Sequence, residues 1–233
     1  MTRPQRVWIA VFSVFTALPV GIGTCSGDEP AQLPVVFTDD FESGDISRWK
    51  ATDPQAWRLA GDAEEHFLQQ HARSDVQTPV RSPFNRSLVG GLTVGDFQLD
   101  VDVRSTARDY PHRDVCLFFG YQDQTHFYYV HLGQRADDHA NQIFIVNEAP
   151  RVKISTKTTE GTPWDSEWHH VRISRDVSSG KIAVYFDDMQ DPVMEATDTS
   201  FTWGTVGVGT FDDTGDYDNV QVRGEVVQRP ASP

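Results

Sequence analysis

The chain has 233 residues, and 20 Lys plus Arg against 34 Asp plus Glu leave a formal net charge of −14. Hydrophobic residues at 38% and aromatics at 11% are enough to bury a core, which excludes disorder throughout, and the length suits one or two domains. So negative a surface repels phosphate backbones, and no run of Lys or Arg interleaves with aromatics, so nucleic acid is not an expected partner.

Arg3 and Arg6 precede an uncharged, mostly apolar stretch, Val7 to Ile22, that ends among small residues. This is the layout of a secretory signal peptide, expected over residues 1–27 and followed by a linker over 28–36. The stretch is shorter than the ~20 residues a membrane span needs, and Pro19 interrupts it, so no span is expected. Ile22-Gly23-Thr24-Cys25 is similar to a bacterial lipoprotein box, although Thr24 stands where Gly, Ala or Ser is preferred; plain cleavage and a lipid anchor at Cys25 both stay open. The expected destination is secretion, the periplasm or the cell surface. Cys25 and Cys116 are the only cysteines, and with one of them at the cleavage region no disulfide staples the domain.

Beyond Pro34 the chain reads as short alternating runs separated by Gly, Asp, Asn, Ser and Pro clusters, without sustained helical periodicity. Phe97, Leu99, Val101 and Val103 alternate with Gln98, Asp100, Asp102 and Arg104. Val115, Leu117 and Phe119 alternate with Asp114, Cys116, Phe118 and Gly120. Tyr128, Val130 and Leu132 then face away from Tyr129 and His131, and Ile143 and Ile145 away from Gln142 and Phe144. Val171 and Ile173 open a hairpin that turns at Ser178-Ser179-Gly180 into Ile182, Val184 and Phe186. Runs at Val206 to Thr210 and Val220 to Arg223 close the set. About a dozen strands of this kind predict an all-β fold of two packed antiparallel sheets, a jelly-roll sandwich over 37–224 with a loose tail at 225–233. Trp49, Trp57, Trp164, Trp168 and Trp203 are expected in or over the core.

The order and spacing of these runs resemble the concanavalin A-like lectin/glucanase superfamily, and within it the laminin G-like branch that includes 3-keto-disaccharide hydrolase domains. The opening Asp39-Asp40-Phe41-Glu42 followed by Trp49 is similar to the branch's first strand, and Phe97-x-Leu99-x-x-Asp102-x-Arg104 to a strand ending in an acid and a base. Glu167-Trp168-His169, Phe211-Asp212-Asp213 and Tyr217-Asp218-Asn219-Val220 resemble its later strands. The resemblance implies a jelly roll and a carbohydrate context. Tyr129 and His131 stand where the branch has an acid and an amide, and the superfamily's Glu-x-Asp-x-x-Glu strand is absent, so the resemblance by itself does not imply a reaction.

Asp100, Asp102 and Arg104 lie at i, i+2 and i+4, on one face of a strand, with neighbouring acids about 6.5 to 7 Å apart. That spacing is admissible for an inverting glycosidase pair and equally for a solvated sheet face. If the strands stack as in the resembled fold, the same outer face collects Asp114, Phe118, Tyr129, His131, Gln142 and Phe144, rings for sugar C–H faces and polar groups for hydroxyls. The alternative is a loop, such as Arg135 to Asn141, that folds over them and makes a satellite core. The leading expectation is therefore an exported carbohydrate-binding domain. One alternative is a glycan-cleaving hydrolase or lyase using Asp102, Tyr129 and His131, with Arg104 or Arg151 neutralising a substrate carboxylate. Another is a laminin G-like adhesion module that binds protein.

Among metals, a transition ion is disfavoured, since there is no His-Glu-x-x-His and the pairs His126/His131 and His169/His170 differ by odd numbers, which sends each pair to opposite strand faces. Cys116 reads as a small hydrophobe. Calcium suits the hard oxygen ligands that open the chain at Asp39, Asp40 and Glu42 and close it at Asp212, Asp213, Asp216 and Asp218, with Asp40, Glu42, Asp213 and Asp218 as expected ligands. Acidic surface turns account for the same residues without an ion.

Overall fold

A computed structural model describes residues 33–229. The expected signal peptide over 1–27, including Cys25, residues 28–32 of the expected linker and 230–233 of the expected tail lie outside the described residues. The strands are β1 (Val35–Asp39), β2 (Trp49–Ala51), β3 (Trp57–Gly61), β4 (His66–Gln70), β5 (Asn85–Val89), β6 (Val94–Ser105), β7 (Asp114–Asp123) and β8 (His126–Gly133). They continue with β9 (Gln142–Asn147), β10 (Val152–Lys153), β11 (Ser155–Lys157), β12 (His169–Arg175), β13 (Lys181–Phe186), β14 (Met194–Thr197), β15 (Thr205–Thr210) and β16 (Gly215–Val226). Among the described residues the only helical element is a 3-10 turn at Pro54–Ala56.

All strand pairs are antiparallel. One sheet has nine strands, in the order β11-β14-β13-β12-β6-β16-β4-β3 with β1 also on β16, and the other has seven, in the order β10-β9-β8-β7-β15-β5-β2. Period-2 alternation decides what lies between them. Phe97, Leu99, Val101 and Val103 of β6 and Val171 and Ile173 of β12 meet Val115, Leu117 and Phe119 of β7 and Tyr128, Val130 and Leu132 of β8 in one apolar core. Each such side chain contributes about 1.5 to 3 kcal/mol on burial. Strands β12 and β13 pair as the expected hairpin, Val171 opposite Phe186. Trp49, Trp57 and Trp164 are buried, whereas Trp168 and Trp203 are partly exposed.

The second face of the seven-stranded sheet is dry as well. Cys116, Phe118, Phe127, Tyr129, Phe144 and Val146 form a satellite core, with Val80, Leu88, Tyr121 and Phe211 packed against it. Val80 belongs to the segment 71–84, which joins β4 to β5 without forming a strand and crosses this face. Arg151 adds a cationic lid, its guanidinium 5.0 Å from the Phe144 ring centre and 4.2 Å from that of Phe211. At the other end the loop before β9 closes over the face, where Asn141 N–H reaches His131 Nδ1 and Gln142 Nε2 donates to the Asp137 carbonyl. An open groove with exposed Phe118, Tyr129 and Phe144 is thus corrected to a covered layer, because three ring-bearing strands side by side expose more apolar surface than water tolerates.

Candidate functional site

Antiparallel pairing of β6 with β12 sets Asp102 opposite His170, Asp100 opposite Arg172 and Gln98 opposite Ser174, all on the outer, solvated face of the nine-stranded sheet. His170 lies between the two acids, Nδ1 2.7 Å from Asp102 Oδ1 and Nε2 3.0 Å from Asp100 Oδ1. Arg172 Nε donates to Asp100 Oδ1 at 2.7 Å and Gln98 Nε2 to Asp100 Oδ2 at 2.7 Å. Hydrogen bonds donated by the ring to Asp100 and then Asp102 raise His170 to about 9 against the opposing effect of burial, so the ring is charged at neutral pH. Burial pushes the Asp100 carboxyl up, but hydrogen bonds from His170, Gln98 and Arg172 outweigh it and hold the group below its ordinary value.

Asn219 extends this cluster. Strand β16 slips register against β6 between Asp218 and Gln221, and Asn219 sits in that bulge at φ +50°. A bulge re-aims side chains, and Asn is among the few residues that tolerate the left-handed region. Its amide Nδ2 consequently donates to Asp102 Oδ2 at 3.0 Å. On its other side Asn219 lines an open groove of about 480 Å³ with Thr38, Asp40, Ser43, Arg48 and Gln221. Below the cluster, Arg104 Nε donates to Asp216 Oδ2 at 2.9 Å, and its guanidinium stacks 4.6 Å from the Trp168 ring centre and 5.2 Å from that of Phe67. Bulge, acids, imidazolium and stacked rings therefore form one polar platform running into a polar groove.

The residues expected to share one face are divided between two. Asp100, Asp102 and Arg104 stand on the platform, whereas Asp114, Phe118, Tyr129, His131, Gln142 and Phe144 are buried on the seven-stranded sheet. Asp102 thus cannot act together with Tyr129 and His131. Burial, then the charges of Arg151 and His112, push His131 down to about 3, and burial raises the Tyr129 hydroxyl well above its usual range, so neither is an accessible acid or base. Tyr129 stacks on Phe144 at 5.0 Å between ring centres.

The four expected calcium ligands also separate. Glu42 binds His66 through both its oxygens, Asp40 lines the groove, Asp218 accepts from Asn219, and Asp213 accepts from Tyr110 Oη at 2.8 Å and Asp114 N at 2.9 Å. Among the described residues, Asp213 instead joins Asp212 and Asp114, whose carboxylate oxygens lie within 4.8 Å of one another and could hold a metal ion. The acids of the bulge on β16 and of the turn after β15 take different partners, a difference that strand counting does not register.

Neither protein-family models nor curated proteins match the chain. Solved structures do. The carbohydrate binding module CBM66 from Bacillus subtilis superposes with a TM-score of 0.52 at 19% identity, covering 76% of this chain and 95% of that one. A protein of unknown function with a galectin-like fold from Bacillus subtilis gives 0.53 at 13% identity, covering 84% and 99%. Lectin I-B4 from Griffonia simplicifolia gives 0.50 at 14% identity, covering 82% and 99%. The fold is the concanavalin A-like lectin jelly roll.

Within this jelly roll, His170, Arg172 and Asn219 are the site residues that sequence reasoning missed. His170 and Arg172 stand at i and i+2 of one strand, a signal present in the sequence. What it lacked was the pairing that sets them against Asp102 and Asp100, and the bulge that turns Asn219 toward Asp102.

Proposed function

We propose that the jelly roll is an exported carbohydrate-binding domain whose glycan lies in the groove at Asp40, Ser43 and Arg48 and reaches across Asn219 onto the platform of Asp102, His170 and Arg172. The groove, about 480 Å³, is within the ~300 to 1,000 Å³ of small-ligand sites, and its lining is hydroxyl, carboxylate, amide and guanidinium. The observation that carries the reading is the double engagement of Asp102 by His170 and Asn219, which fixes donors and acceptors on a partly exposed sheet face in advance of any ligand. The similar structures include a protein named as a carbohydrate binding module and another named as a lectin, which supports the same ligand class. Export rests on Arg3, Arg6 and the apolar stretch from Val7 to Ile22.

Binding is favoured over cleavage by the state of the acids. Glycoside hydrolysis needs one carboxyl held protonated beside the scissile bond. Asp100 is instead held ionised by His170, Gln98 and Arg172, while Asp114, on the other sheet, and Asp213, in the turn between β15 and β16, whose values burial raises, are away from the platform. A glycan-array screen of the protein, followed by calorimetric titration of the best ligand, tests the proposal. Asn219→Gly and His170→Ala should each weaken binding at least tenfold, about 1.4 kcal/mol. Unchanged affinity in both variants, or release of new reducing ends from the ligand, would refute it.

A further inference from the structure

The antiparallel register of β7 and β8 places Cys116 opposite His131, and Asp114 lies two residues before Cys116 on the same strand face. Three unlike donors converge as a result: Cys116 Sγ is 3.2 Å and His131 Nε2 3.6 Å from Asp114 Oδ2, and one ligand atom of each residue lies within 4.8 Å of the other two. We propose that Asp114, Cys116 and His131 bind one divalent first-row transition metal ion, with zinc the ion that suits them.

The spacing agrees with the ion. Zinc bonds of about 2.0 Å to nitrogen or oxygen and about 2.3 Å to sulfur, at tetrahedral angles, separate neighbouring ligand atoms by roughly 3.3 to 3.7 Å. The donor set agrees as well, because a thiolate and an imidazole select zinc over calcium, whereas calcium takes oxygen alone. A second observation is independent of the cluster's spacing. Asp114 is fully buried, and its Oδ1 has no hydrogen-bond partner. Oδ2, the oxygen facing Cys116 and His131, also accepts from Phe211 N at 2.8 Å, and it is the other oxygen of the same buried carboxylate that still calls for a donor or a cation.

Charge and protons balance. One thiolate and one carboxylate neutralise a divalent ion, so loading releases the thiol proton that Cys116 now donates to Asp114 Oδ2. Asn141 N–H points at His131 Nδ1 from 3.3 Å, so Nε2 bears the ring proton in the metal-free protein. Binding moves that proton to Nδ1 and gives up the long contact to Asn141. Asp213 is the positioning residue, since its Oδ2 accepts from Asp114 N and its Oδ1 from Tyr110 Oη. With exposed Asp212 it also forms an acidic entry from solvent, both carboxylates lying within 4.8 Å of Asp114.

The experiment strips the full chain with a chelator and titrates it with Co²⁺, reading the thiolate-to-cobalt charge-transfer band, with Zn²⁺ as competitor and native mass spectrometry for stoichiometry. One ion per chain and a band abolished in Cys116→Ser are expected. His131→Gln should abolish tight binding, and Asp213→Asn should weaken it about 10- to 100-fold, as loss of an orienting partner does. Near-UV circular dichroism checks that each variant is folded, and Cys116→Ser changes one atom only. The proposal fails if the folded wild-type chain takes up neither ion, or if Cys116→Ser retains wild-type affinity. It also fails if Ca²⁺ binds in preference to both, which would assign the cation to Asp114, Asp212 and Asp213.

Discussion

His170, clamped between Asp100 and Asp102, carries a pH signature of its own. Its value in the folded protein, about 9, lies above the ordinary 6.5, so the stability it lends is complete below about pH 6.5 and is lost as pH rises through 9. Partial exposure screens the pair, which reduces the contribution to on the order of 1 to 2 kcal/mol, or a few degrees in melting temperature for a domain of this size. Melting curves should therefore fall between pH 6.5 and 9 in the wild type by more than in His170→Gln. Asp100 has the opposite sign, since its lowered value gives stability present above its ordinary range and lost in acid. Tyr129 makes a second test. It is fully buried, so Tyr129→Ala should cost about 3 to 5 kcal/mol, while its hydroxyl makes no well-formed hydrogen bond and has only the Arg151 guanidinium nearby, so Tyr129→Phe should be close to neutral in chemical denaturation. A Phe variant clearly less stable than the parent would mean that the hydroxyl is satisfied in solution. The acids of β6 were legible from their i, i+2 spacing. Their imidazolium partner was not, because no residue in β6 names the strand that pairs with it.

Strand β16 does more than close the nine-stranded sheet. Its bulge at Asn219 is both a backbone irregularity and the link between groove and platform, and the two roles separate by substitution. Asn219→Gly keeps a residue at ease at φ +50°, so melting should stay within about 1 kcal/mol of wild type while glycan affinity falls. Asn219→Ala adds left-handed strain of about 1 to 3 kcal/mol and should lose both. Strand β15 shows the reverse case, a glycine required for packing. A Cβ on Gly209 would stand 1.9 Å from the Asn85 carbonyl oxygen, so Gly209→Ala should destabilise by several kcal/mol or prevent folding, measured by urea titration. Strands such as β6, β7, β8 and β12 were readable because apolar residues recur at every second position. Segment 71–84 has no such period, and its place over the satellite core follows from tertiary packing alone.

At the scale of the molecule the charge of −14 shapes which glycans can approach. Polyanionic sugars should bind more weakly than neutral ones at low salt, and the gap should narrow as ionic strength rises toward the regime where the Debye length is a few ångströms. A glycan panel read at two salt concentrations checks this, and preferential binding of uronates at low salt would contradict it. The two-sheet architecture was legible in the sequence because each strand hides one side, whereas the division of Asp102 and His131 between sheets was not, since alternation says which way a residue points but not in which sheet. The satellite core has a kinetic consequence. The seven-stranded sheet is shielded on both sides, by the main core and by the layer of Phe118, Tyr129, Phe144 and Val80, while the nine-stranded sheet has water along one side. Amide deuteration should then proceed in two tiers: backbone N–H groups of β7 and β8, in the middle of the shielded sheet, exchange only when the whole domain unfolds, and those of β3, β11 and β14 exchange through local opening long before.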